Sequence, residues 1–132
     1  MADMGFFFRI VRRRKRPAFP RKEYLANREA ARTLVHARLE YFNQHYHLEY
    51  KTVSIKNLRS KWGSCSTRKN LNFSYRIVFL SPELQDYLIV HELCHLKEMH
   101  HRESFWDLVR ETVPNAEALN RALKQYDRTT LQ

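Results

Sequence analysis

One domain of mixed helices and strands is what this sequence predicts, and three stretches predict it. From about Lys22 to Tyr46 the apolar residues recur at helical spacing, with Val35, Leu39, Phe42 and Tyr46 at i, i+4, i+7 and i+11. From Leu71 to Phe79 they alternate, through Phe73, Tyr75 and Ile77, as in a strand with one apolar face. At Ser81-Pro82-Glu83 the chain carries a helix start: serine as cap, proline at the first helical position and an acid in the first turn. A length of 132 residues fits one compact domain, and 43% hydrophobic content supplies a core.

The chain opens on Phe6 to Val11, which reads as a short strand, and then on Arg12 to Arg16 followed by Pro17 and Pro20. Like charges and proline disfavour a regular element there, so residues 1–21 read as a basic N-terminal arm and 22–132 as the folded domain. The net charge is +10, and it is uneven. Residues 1–22 hold eight Lys and Arg against Asp3, while the remainder holds 16 basic and 13 acidic residues. Tyr50 to Pro82 carries seven basic residues and no acid. Such an arm is a solvated linker or a contact for nucleic acid or an acidic protein.

No apolar run approaches the roughly 20 residues of a membrane span. Met1 to Val11 lacks the pattern of a secretory signal. Cys65 and Cys94 are the two cysteines, far apart and without disulfide or C-x-x-C spacing. A reduced, cytoplasmic setting with no membrane partner is the simplest expectation.

Within the domain, Leu25, Ala31 and Leu34 extend the apolar side of the first helix. Lys51 to Leu58 reads as a strand, with Val53 and Ile55 alternating against polar neighbours. Thr67 to Asn70 is a hairpin turn leading into the strand at Leu71 to Phe79. The helix that starts at Pro82 is expected to run to about Met99. Leu84 and Leu88 lie on one face and Ile89, Leu93 and Leu96 on the other, so it is buried on both sides. A shorter helix covers Glu103 to Val113, Pro114 ends it, and Asn115 can cap a last helix carrying Leu119, Ala122, Leu123 and Tyr126. Thr129 to Gln132 is expected to fray.

The chemistry gathers at His91-Glu92-Leu93-Cys94-His95, an H-E-x-x-H motif, with His100 and His101 close behind. Residues i and i+4 share a helix face, so His91 and His95 can bind one metal ion. Glu92 lies about 100° round the helix, beside the metal and placed to take a proton from bound water. Three histidines would hold one Zn²⁺ and leave a fourth position open, which separates a catalytic site from a closed structural one. On a straight helix His101 would lie roughly 15 Å along the axis from His91, so the chain must turn back after Met99. His101 has the spacing of the H-E-x-x-H-x-x-G-x-x-H enzymes, but Glu98 stands where those have glycine, and His100 competes as the third ligand. Cys94 reads as a small buried residue. His36, His45 and His47 have no ligand spacing to one another.

Lys61-Trp62-Gly63-Ser64-Cys65-Ser66, Asn70-Leu71-Asn72-Phe73, Val90 to Lys97, His101 and Phe105-Trp106 together resemble the YgjP-like metallopeptidases, relatives of the SprT-like zinc proteases. The likeness implies a zincin-type α+β domain with a small sheet packed on an active-site helix. It implies zinc on His91, His95 and His101 and Glu92 as catalytic acid and base. It also suggests that the stretch with Trp62, Gly63, Ser64 and Cys65 is a strand bordering a substrate cleft. Lys61 stands where arginine is usual in that group, and His100 where asparagine is usual.

The leading expectation is therefore a zinc metallopeptidase acting on extended polypeptide. The alternative is a nucleic-acid-binding module in which His100 or Cys65 closes a structural zinc site. A third is an interaction domain that has lost its metal.

Overall fold

The computed structural model describes residues 19–130, which form four helices, one 3-10 turn and a three-stranded sheet. The strand expected at Phe6 to Val11 and nearly all of the basic arm lie outside the described residues, as do the last two residues of the expected frayed end. Helix α1 spans Arg21–Tyr46. Ala31, Val35, Leu39 and Phe42 form its buried stripe, while Leu34 is half-buried and Leu25 is exposed. Its last turn closes on His47 in the left-handed conformation (φ 54°), whose N–H reaches the Asn43 carbonyl.

Strands β1 (Thr52–Lys56), β2 (Gly63–Cys65) and β3 (Asn70–Ser74) form a sheet of order β1-β3-β2. β1 runs parallel to β3, with Ile55 beside Phe73. β2 and β3 are an antiparallel hairpin in which Gly63 faces Phe73 and Cys65 faces Leu71. The hairpin turn is tied by Ser66, whose Oγ accepts from the N–H groups of Arg68 and Asn70.

The strand expected over Leu71 to Phe79 ends at Ser74, and Tyr75–Phe79 is a 3-10 helix instead. Ser74 causes the change, because its Oγ accepts the Arg76 N–H and starts a turn. Tyr75, Arg76 and Ile77 are then buried in succession, and Phe79 is exposed. The buried Arg76 places its guanidinium over the rings of Phe19 and Trp62.

Helix α2 spans Pro82–Cys94 and starts as expected, with Ser81 Oγ accepting the Leu84 N–H at 3.3 Å. Every residue from Tyr87 to Cys94 is buried. α1 packs across its outer side, where Arg38 makes paired bonds to Asp86 of 2.8 and 3.1 Å. β2, helix α3 (Glu103–Arg110) and helix α4 (Ala116–Thr130) cover the rest. Helical backbone therefore continues through Thr129 and Thr130, where fraying was expected. α2 is the central element of an α+β domain, and burial on all sides fixes the direction of its side chains from Tyr87 to Cys94. A fully buried leucine, isoleucine or phenylalanine contributes about 1.5–3 kcal/mol here. Among the described residues no helix is long and apolar enough to cross a membrane.

Candidate metal centre

α2 stops at Cys94, earlier than the expected end near Met99. Leu96, Lys97, Glu98 and Met99 are all competent helix formers, so propensity does not end it. The ending comes from capture of the backbone by a nearby side chain. Leu96 N–H and Lys97 N–H bond three residues back, to Leu93 and Cys94, and tighten the turn. His95 Nδ1 then lies 2.8 Å from the Glu98 carbonyl oxygen. A carbonyl only accepts, so Nδ1 carries the proton and donates. Among the described non-glycine residues only His47 and Lys69 have positive φ, so Glu98 makes this turn without the left-handed backbone that a glycine would supply.

The turn returns His101 to the helix. The Nε2 atoms of His91, His95 and His101 form a triangle with edges of 3.1, 3.1 and 3.3 Å. Ligand nitrogens on a tetrahedral zinc stand about 3.3–3.4 Å apart, as follows from Zn–N lengths of about 2.0–2.1 Å. His91 and His95 are buried, and His101 is half-buried. His91 is held well below the usual imidazole range, first by burial and then by its two histidine neighbours, so its ring is neutral. Three Nε2 atoms at this spacing converge on one point, as the ligand atoms of a single metal ion do. The donor set therefore fits a metal ion.

The supporting groups fix which nitrogen is bare. Tyr87, one turn before His91 on α2, places its hydroxyl 3.0 Å from His91 Nδ1. The same hydroxyl donates to Asn120 Oδ1 on α4 at 3.1 Å. Tyr87 has a single proton, so it accepts from His91 Nδ1–H while donating to Asn120. His91 is thereby oriented with Nε2 toward the triangle, the usual way a supporting partner sets the tautomer of a metal-binding histidine. Phe105 from α3 stacks on the His95 ring (4.4 Å, 16°) and meets the rings of His91 and His101 edge-on. Trp106 donates Nε1–H to the His101 carbonyl at 3.1 Å.

His100 is turned elsewhere. Its Nδ1 accepts the Arg102 N–H, and its Nε2 lies 2.8 Å from Glu98 Oε1. Ser104 also donates to Glu98, so the pair staples the loop that presents His101. Cys65 is fully buried, with its Sγ directed at the Ser66 carbonyl. Among the described residues neither His100, Cys65 nor any acid joins the converging ligand atoms. His45 pairs with Glu111, away from the cluster. Burial pushes the Cys94 thiol up to about 12, which keeps it protonated and unreactive.

Glu92 is fully buried on α2, against β2. A Cβ on Gly63 would stand 2.8 Å from the Asn72 carbonyl oxygen and 3.2 Å from Glu92 Cγ. Glycine is therefore required at this point by close approach. Gly63→Ala is expected to destabilise the fold by about 1–3 kcal/mol, as overpacking does, and to displace the Glu92 side chain. A urea titration of both proteins checks this, and an unchanged midpoint would contradict the packing argument. Lys61 lies half-buried near the same carboxylate. Burial lowers its ammonium pKa, and Glu92 opposes that shift.

Of the other residues in the β2 stretch, Trp62 is a core residue that donates Nε1–H to Asp127 at 2.6 Å. Ser64 Oγ accepts from the Asn72 amide at 3.2 Å. Their side chains serve the core and the hairpin. The backbone is placed differently. Ser66 N–H bonds to Asn70 and Ser74 N–H bonds to Trp62, so by alternation the N–H and C=O groups of Gly63 and Cys65 point away from β3. Tyr87, Asn120 and the stacking role of Phe105 are absent from the expectations drawn from sequence. The i−4 spacing of Tyr87 from His91 is the one local signal that could have found any of them.

A cleft of about 170 Å³ opens beside the triangle, lined by His91, His101, Trp106, Asn120 and Lys124.

Comparison with known proteins agrees with this arrangement. The family model described as the YgjP-like metallopeptidase domain matches residues 10–126. Among solved structures, the metallopeptidase zymogen of Pyrococcus abyssi, abylysin, is similar at 24% identity and a TM-score of 0.61, over 69% of this chain and 93% of that one. The metallopeptidase zymogen of Methanocaldococcus jannaschii, jannalysin, is similar at 24% identity and a TM-score of 0.56, over 73% of this chain and 95% of that one. At that identity the two structures speak for the α+β fold alone. No curated protein matches. The family match spans most of the sequence and includes the whole histidine cluster, and on that ground the chain belongs to the YgjP-like metallopeptidase family.

Proposed function

We propose that this protein is a zinc-dependent peptidase in which His91, His95 and His101 hold one Zn²⁺ and Glu92 acts as general base and then general acid. The observation that carries this reading is the meeting of three Nε2 atoms within 3.3 Å of one another, on a buried helix that also carries Glu92. Zinc bound there would bring the pKa of a water molecule to around 7 and polarise the scissile carbonyl.

The chain's own residues supply the rest. The Glu92 carboxylate takes the proton of the attacking water and passes it to the leaving amine nitrogen. Gly63 keeps that carboxylate in place by leaving it room. Tyr87 and the Glu98 carbonyl hold the protons of His91 and His95 on Nδ1, so both rings offer Nε2. Trp62, Gly63, Ser64 and Cys65 serve as the cleft border through their backbone. An extended polypeptide can lie along the outer edge of β2 and pair with Gly63 and Cys65, as added strands do.

Zinc removal tests the reading. The zinc-loaded protein is expected to cleave an unstructured polypeptide. A chelator should abolish cleavage, and one equivalent of zinc should restore it. Cleavage that survives complete removal of metal would contradict the proposal.

A further inference from the structure

The cleft beside the histidine triangle carries an amide and a cation among its described lining residues. Asn120 and Lys124 stand one turn apart on α4, at i and i+4, so both face the same way. The Tyr87 hydroxyl donates to Asn120 Oδ1, which turns the Asn120 amide N–H groups away from Tyr87. Lys124 adds an ammonium, Trp106 forms an apolar wall, and none of the described lining residues is an acid. A volume of about 170 Å³ is smaller than the roughly 300–1,000 Å³ of sites for drug-sized ligands. It suits one chemical group of a substrate, and donors beside an ammonium select an anionic one.

Resting on the peptidase reading, we infer that Asn120 and Lys124 form a specificity site for a substrate carboxylate seated next to the scissile bond. The carboxylate is either the C-terminus of the peptide or the side chain of a flanking Asp or Glu. Lys124 is exposed on α4 and outside the proposed catalytic machinery.

The test uses three kinds of matched peptide with the zinc-loaded protein. The first is acid-free with a free C-terminal carboxylate, and the second is its amide. The third is amidated with Asp or Glu at single positions, compared with Asn or Gln. Values of kcat/KM are measured for the wild type, Lys124→Gln and Lys124→Glu. Binding of the same peptides is measured by fluorescence anisotropy on zinc-loaded Glu92→Gln, alone and combined with Lys124→Glu. A preference for carboxylate over its neutral match of about 10–100-fold is expected, the scale of one hydrogen bond to a charged group. Lys124→Gln should remove it and Lys124→Glu should reverse it. The first pair of peptides reports a C-terminal carboxylate, and the third set reports a side chain.

Cleavage with no such preference, or with a preference unchanged in both Lys124 variants, overturns this inference and leaves the peptidase reading standing. Carboxylate-selective binding that depends on Lys124, without cleavage of any peptide by the wild type, supports the site and counts against the peptidase reading. Neither cleavage nor selective binding overturns both.

Discussion

Glu92→Gln is expected to lower kcat/KM for peptide hydrolysis about 10²–10⁴-fold, the usual contribution of a positioned acid–base group, while zinc stays bound. The argument is one of geometry. Glu92 is on α2 between His91 and His95 in sequence, but it is turned about 100° from His91 and stays out of the ligand triangle. Glutamine keeps its shape and its contact with Gly63 and loses the negative charge and the ability to accept a proton. The fold should hold, because a fully buried carboxylate is replaced by a neutral group of the same size. Steady-state kinetics with zinc content measured on the same samples gives the answer. Equal activity in the two zinc-loaded proteins would remove Glu92 from the mechanism. Loss of zinc together with activity would instead make it a ligand.

The second large effect separates two adjacent histidines. His101→Ala should weaken zinc by more than the roughly 10–100-fold that loss of a merely supporting group costs. It removes one of three converging nitrogens, at 3.1 Å from His95 Nε2 and 3.3 Å from His91 Nε2. His100→Ala should stay within that supporting range, because His100 acts on Glu98 and the Arg102 N–H and not on the triangle. Competition against a zinc-binding dye, run on both variants, distinguishes them. A larger loss from His100→Ala would exchange the roles of the two residues.

Much of this site was legible in the sequence because its pieces are local. His91, Glu92 and His95 are related by helical geometry alone, and Ser81-Pro82 announces where that helix starts. Its end was not legible. Nothing in Leu96 to Met99 opposes helix, and what stops it is the imidazole of His95 taking the Glu98 carbonyl. The same capture accounts for a turn without glycine at the position where related spacings have one. The end of β3 was hidden for a similar reason. Tyr75, Ile77 and Phe79 continue the alternation of Leu71 and Phe73, yet the Ser74 side chain redirects the backbone into a 3-10 turn.

The partners of the histidines were the least legible part. Tyr87 and Asn120 meet across 33 positions, and their bond exists only because α4 packs on α2. Gly63 carries the same lesson. The family likeness suggests a strand there but not why the strand needs a glycine. Gly63 sits in that strand, where it admits the side chain of Glu92.

Zinc-edge X-ray absorption on the wild-type protein loaded with one equivalent of zinc tests the central claim most directly. Three imidazole nitrogens at about 2.0–2.1 Å and one further light-atom ligand from solvent are expected. A Zn–S distance of about 2.3 Å, or four imidazole nitrogens with no solvent ligand, would contradict it. Either outcome would mean a closed, structural site in place of an open one.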